Sequence, residues 1–283
     1  MTGYWVDIAA ISFFVLEWTV YAYTLEHTAY GRDSLSARMH GYREVWIRNL
    51  LHREARMVDM QIMASLQNGT AFFASTSLLA IGGGLALRAN DIPFEEVLIP
   101  LYTDNPADKQ RILSFSHAGK VPALVDGDVT VWDSLSIIEY LAEKFPQARL
   151  WPDDRAARAH ARSISSEMHS GFMALRNECG MNLHRPIKAV ALSDDALANV
   201  ARVQAIWSEC HQRYGKAGPF LFGAFSGADA MFAPVVHRFR TYAIPVGDGA
   251  RHYFDAMQAL PAFQQWTRDG LAETLLIDRF EEV

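Results

Sequence analysis

The residues best placed to do chemistry lie in the run Lys120-Val-Pro-Ala-Leu-Val-Asp-Gly-Asp, continued by Val-Thr-Val-Trp-Asp133-Ser134 and Leu-Ser-Ile-Ile-Glu-Tyr-Leu. This order sets a ligand-gripping strand directly before an anion-binding helix start. A proline after Val121 at the start of a strand is able to adopt the cis form, which is uncommon and retained where geometry requires it. The plain alternative for Val121-Pro122 is an edge-strand proline. Asp133-Ser134 then opens a helix, whose free amides and macrodipole favour an anionic group, with the Ser134 hydroxyl as a further donor. The plain alternative there is an ordinary N-cap.

The segments around this run predict the elements that position it. Phe94 to Leu101 reads as a short strand, and Pro106 to His117 as a helix capped by Asp104 and closed by Gly119. Val121 to Val125 and Val129 to Trp132 flank an Asp126-Gly-Asp turn and form a hairpin. Ser134 to Phe145 carries Ile137, Ile138 and Leu141 at helical spacing. Beyond Pro146 the chain turns helical, with one apolar stripe at Ile164, Met168, Phe172 and Leu175 and another at Val200, Val203, Trp207 and Cys210. Ser226-Gly-Ala-Asp229 has the spacing of a capping box opening a helix through about Phe239.

The run at 120–141, the all-helical remainder and the segments Glu167-Met-His-Ser-Gly-Phe172 and Leu175-Arg176 resemble the glutathione S-transferase family, in its bacterial zeta-like branch, from about Leu85 onward. The resemblance implies an α+α/β architecture: a thioredoxin-like domain, then an all-α transferase C-terminal domain. It implies that the backbone of Val121, before Pro122, pairs with the cysteinyl backbone of glutathione as an added strand does. Asp133 and Ser134 would meet the γ-glutamyl end and Lys120 the glycyl carboxylate, although a lysine before a strand is as readily a surface residue. His169, Arg176 and Asn182 would line the electrophile pocket, against the plain reading of solvated polar residues on a long helix. Glutathione would be the co-substrate, with an electrophilic small molecule as partner, no metal, and a homodimer by resemblance. The capping box falls at the family's folding signal.

Catalysis in the family also needs a hydroxyl or thiol after the first strand, to hold the glutathione sulfur as a thiolate. Relatives reach that loop through a short hydrophobic strand and leave it through a helix ending in text like Leu85-Ala-Leu-Arg-Ala. Here only the helix end is read, so the thioredoxin-like domain at 89–148 is expected to lack its first strand and its activity to be impaired. Ser77 falls near the register of the missing serine. It reads as coincidence, because an unbroken helix through it would turn the hydroxyl onto a backbone carbonyl. The helical domain is expected at 149–283.

Residues 1–88 read differently. Met60 to Leu87 contains no charged residue, and Thr70 to Leu87 is long enough to span a bilayer. Ile8 to Leu25 is a second candidate span, interrupted by Glu17. Both have the plain alternative of buried helices in a soluble domain. Arg32, Arg38, Arg43, Arg48, Arg53 and Arg56 lie between them, as the positive-inside rule would place on the cytoplasmic side, or on a solvated face shared with Glu44, Glu54 and Asp59. Asp7, Trp18, Ser34-Leu35 with Met39, Arg43 and Trp46, then Asn68 to Ser77 with Gly82-Gly-Gly84, resemble the first part of a bacterial membrane-protein family known as domain of unknown function 599.

Three functional readings follow. One is a glutathione-conjugating enzyme. A second is a non-enzymatic scaffold anchored in the lipid bilayer of the bacterial inner membrane by two N-terminal helices, with the transferase-like module cytoplasmic. A third is an inactive fusion of two gene fragments; without insertion the chain would be a soluble cytoplasmic protein. The net charge of -6 argues against nucleic acid as the main partner. Cys179 and Cys210 have neither zinc nor disulfide spacing and hint at a reducing compartment.

Overall fold

In the computed structural model, residues 70–74 (as backbone), 81–101 and 104–274 are described. The first element overturns an expectation. Thr70–Ala74 is a strand, β1, and it lies inside the sheet rather than in a membrane span. It pairs in parallel with β2 (Phe94–Leu98), with Thr70 opposite Phe94, and antiparallel with β3 (Ala123–Asp126), with Thr70 opposite Asp126. β3 pairs with β4 (Val129–Trp132), giving the order β2-β1-β3-β4. The first strand that the sequence reading found missing is therefore present, supplied by residues before the transferase-like text.

The physical reason for the error is that an uncharged run is also what the middle of a domain requires. A strand flanked on both sides by partners reads as a continuous apolar stretch. It is followed by α1 (Ile81–Ala89), in which every residue from Ile81 to Leu87 is buried. Together they give bilayer-length hydropathy without a bilayer-length helix. Among the described residues no helix is long and apolar enough to cross a membrane. The Ile8 to Leu25 stretch and the arginine-rich segment lie outside the described residues.

Local chemistry fixes the remaining elements of the first domain. α2 (Pro106–Phe115) is capped by Asn105, one residue past the expected Asp104, whose Oδ1 accepts the Ala107 N–H at 3.1 Å. Gly127 takes φ 58 at the first central position of the β3–β4 turn, where a side chain would be strained. α3 (Ser134–Lys144) buries Ile137, Ile138 and Leu141, the face its spacing predicts. It is tied back to the hairpin by Asp126, which accepts from Tyr140 Oη at 2.5 Å and pairs with Lys144.

The helical domain comprises α4 (Arg155–Ser170), α5 (Met173–Glu178), α6 (Asp194–Tyr214), α7 (Gly227–Thr241), α8 (Asp248–Ala259) and α9 (Pro261–Ala272). The first stripe bends: Phe172, at φ 58, joins α4 to α5, and Ile164, Met168 and Leu175 stay buried on either side. α7 is buried along nearly its whole length and packs on α1 and α4, joining the two domains through one core. Trp207 of α6 is fully buried, its ring 5.0 Å from that of Phe239 and 5.1 Å from that of Tyr253. Asp229 closes the capping box: Oδ2 accepts the Ser226 N–H and hydroxyl, each at 2.7 Å, and Oδ1 accepts the Leu221 N–H at 3.1 Å.

Two polar contacts add to the seam between domains. Arg162 of α4 grips Glu139 of α3 with two bonds of 2.7 Å. Arg88, at the end of α1, bridges Glu96 of β2 at 2.6 Å and Asp269 of α9 at 3.1 Å. These fix the faces that enclose the site described next.

Candidate functional site

The two halves of the motif are hydrogen-bonded to each other. The Val121–Pro122 peptide is cis, and the Pro122 carbonyl accepts the Asp133 N–H at 3.3 Å. Asp133 is the N-cap of α3, its Oδ1 accepting the N–H groups of Leu135 at 2.9 Å and Ser136 at 3.4 Å. Its backbone sits at φ 77, ψ 133. Side chains other than hydrogen are rare there, at a cost of about 1–3 kcal/mol, and such residues cluster at functional sites.

A cleft with a volume of about 410 Å³ opens beside this junction. Lys120, Val121, Pro122, Trp132, Asp133 and Ser134 form one wall, and Ile81 and Gly82 of α1 contribute beside them. The helical domain supplies Met168 and His169 from α4, Arg176 from α5, and Met231 and Pro234 from α7. Gly82 marks a close approach: a Cβ there would sit 3.3 Å from Ser134 Cβ and 3.4 Å from Met231 Sδ, so a side chain would crowd both. Ser134, the first residue of α3, thus lines the cavity, and its hydroxyl and N–H are the first-turn donors that the Asp133 cap leaves unused, placed at a helix N-terminus as suits a carboxylate.

The helical wall is cationic. Arg176 donates to the His169 carbonyl at 3.2 Å and makes no ion pair among the described residues. Burial lowers its pKa, yet guanidinium stays charged at any ordinary pH. Behind it Arg238 is buried, donating to the carbonyls of Cys179 at 2.8 Å and Pro234 at 3.3 Å. Burial, and then the neighbouring Arg176 charge, pull its pKa down to about 10. On the same wall His169 Nε2 lies 2.8 Å from Asp133 Oδ2, a contact between the two domains.

Of the residues singled out by sequence, Lys120, Val121, Pro122, Asp133, Ser134, His169 and Arg176 all line this cleft. Asn182 does not. It is buried beyond α5, where its Oδ1 accepts the N–H groups of His184 at 2.8 Å and Arg185 at 3.0 Å and so builds a turn. Ser77 lies outside the described residues. The objection to it assumed one unbroken helix, whereas Thr70–Ala74 is strand and α1 starts at Ile81. Sequence reasoning missed Gly82, Trp132, Met231 and Pro234. The signal for Trp132 was its place as the last strand residue before Asp133. Gly82 was read as part of a membrane-type glycine run. Among the described residues no group of three or more metal-ligating side chains comes together.

Family models for the glutathione S-transferase N-terminal and C-terminal domains match residues 83–149 and 182–269. A maleylacetoacetate isomerase from Rattus norvegicus is 31% identical over 192 residues, covering 64% of this chain and 83% of that protein. The chain belongs to the glutathione S-transferase family. Glutathione S-transferase Z2 of Arabidopsis thaliana is 28% identical over 189 residues, 64% of this chain and 82% of its own. A glutathione transferase homologue from Burkholderia, solved with bound glutathione, superposes with a TM-score of 0.55 at 21% identity. That match covers 73% of this chain and all of the other, and shows the fold. A model of a protein of unknown function, DUF599, matches residues 9–112. β1 therefore falls within the unknown-function match and before the transferase match, while pairing as the first strand of the transferase sheet.

Proposed function

We propose that this chain binds glutathione in the cleft beside Asp133-Ser134 and uses its thiol on an electrophilic small molecule that carries an acidic group. The observation that carries the reading is the meeting of Val121, at the head of β3, and Ser134, at the head of α3, in one cavity. Val121 offers its backbone to the cysteinyl unit. The Ser134 hydroxyl and N–H, at the start of α3, take the γ-glutamyl carboxylate, Asp133 its ammonium, and Lys120 the glycyl carboxylate. The relatives named as transferases and isomerases support glutathione chemistry of either outcome: the sulfur adds to an electrophilic carbon, and the adduct is kept or released again.

The acidic electrophile follows from Arg176. A half-buried cation with no carboxylate paired to it among the described residues favours an anion in the cleft, and Arg238 behind it adds to the same potential. Activity as a homodimer belongs to the same proposal and is checked by light scattering. The chemical test compares two electrophiles of equal reactivity, one bearing a carboxylate and one its amide. Turnover favouring the carboxylate, with a KM that rises at least about tenfold in Arg176→Gln, supports the reading. Equal turnover of both substrates, unchanged by the substitution, refutes it.

A further inference from the structure

Asp133 is held by more than the cap it provides. Its backbone sits in a region that glycine occupies at ease and aspartate does not, so something other than turn geometry accounts for the side chain. One carboxylate oxygen is committed to the amides of Leu135 and Ser136. The other faces the cleft and meets the Nε2 of His169, from the opposite domain, at 2.8 Å. The His169 main chain is engaged as well, because its carbonyl receives Arg176 Nη1 at 3.2 Å. A single residue of α4 thus touches both the carboxylate on one side of the cleft and the guanidinium on the other.

We propose that His169 is a positioning residue that fixes Asp133 Oδ2 for an incoming ammonium and thereby sets the cleft's selectivity for a ligand with a free α-amino group. The inference rests on the glutathione reading above. A carboxylate oxygen accepts more than one donor, so an imidazole N–H on Oδ2 orients it without using up its capacity. Without the imidazole the oxygen is free to turn toward water, because the cap bonds hold only Oδ1. An acceptor already locked in place costs the ligand less ordering than one it must capture itself. The link to Arg176 runs through the His169 backbone, so replacing the side chain cuts the Asp133 contact and leaves the carbonyl to hold the guanidinium.

The test is calorimetric titration of the full chain with glutathione and with its deamino analogue, γ-glutaryl-cysteinyl-glycine. Wild type, His169→Ala and His169→Gln are compared, glutamine being able to donate an N–H in place of Nε2. His169 is about half exposed, so neither variant removes core packing. The expected result is a wild-type preference for glutathione of at least about tenfold, the size of a charge-assisted hydrogen bond. In His169→Ala that preference collapses through weaker glutathione binding, with the analogue unaffected; His169→Gln restores most of it. Equal weakening of both ligands in His169→Ala, or no change in either, overturns the proposal while leaving the glutathione site intact. Failure of folded wild type to bind either ligand overturns the underlying reading, and the proposal with it.

Discussion

Asp229→Ala tests whether the capping box holds the helical wall of the cleft. The carboxylate is fully buried, and its loss strands two backbone donors, the N–H groups of Ser226 and Leu221, which are buried too. Each unmatched buried donor costs about 1–3 kcal/mol, and the lost cap about 1 more. Against this stands relief of the buried charge: desolvation, partly offset by the hydrogen bonds, pushes the Asp229 pKa up to about 6, which disfavours the ionised form at neutral pH by about 3 kcal/mol. The stranded donors win, leaving a net loss of about 2 kcal/mol, or roughly 6 °C in a protein of this size.

The pH dependence of that difference is the sharper check. With the folded pKa above the unfolded one, the folded state binds the proton more tightly. The stability Asp229 contributes is complete below its unfolded pKa and declines as pH rises through about 6. The gap between wild type and Asp229→Ala should therefore widen by about 1 kcal/mol on going from pH 7.5 to pH 5. Thermal melts followed by circular dichroism at both pH values measure it. A variant as stable as wild type, or a gap that narrows in acid, would refute the reasoning.

Three other perturbations probe separate parts of the fold. His237 is buried in α7, and burial pulls its pKa down to about 4, so the unfolded chain takes up a proton first as pH falls. Wild type should lose about 3 kcal/mol from this group between pH 6.5 and 4, and a pH series of urea melts on His237→Gln should show a correspondingly flatter profile. Gly82→Val places a branched side chain against Ser134 and Met231, so glutathione affinity by titration should fall at least about tenfold. Arg88→Ala removes the bridge from α1 to Glu96 and Asp269, and denaturant melts should show a loss of about 1 kcal/mol that shrinks in 1 M salt.

The site was legible because its residues are local signals. Pro122 and Asp133-Ser134 announce a strand head and a helix head by turn chemistry alone, and both were placed to within a residue or two. Trp207, Ile164 and Asp229 were likewise recognisable from spacing. β1 was not legible, because hydropathy reports only burial and is silent on what does the burying. Phe72-Phe73 with Thr70 favours a strand, and Ser75-Thr76-Ser77 with Gly82 to Gly84 lowers the intrinsic helix propensity of the run. Those local cues were outweighed by the absence of charge. Asn182 failed for the opposite reason: a polar residue after a helix was read as pocket lining, when its side chain closes a turn on its own backbone. The His169–Asp133 contact joins residues from two domains, and no periodicity within either one encodes it.

The central claim is that the cavity at the head of α3 holds glutathione, and calorimetric titration of the full chain, wild type beside Ser134→Ala, tests it most directly. The account predicts saturable binding by wild type and affinity weaker by about tenfold or more in the variant, with the melting temperature unchanged. No heat of binding from a wild-type chain that melts cooperatively would contradict it, as would a Ser134→Ala variant that binds as tightly as wild type.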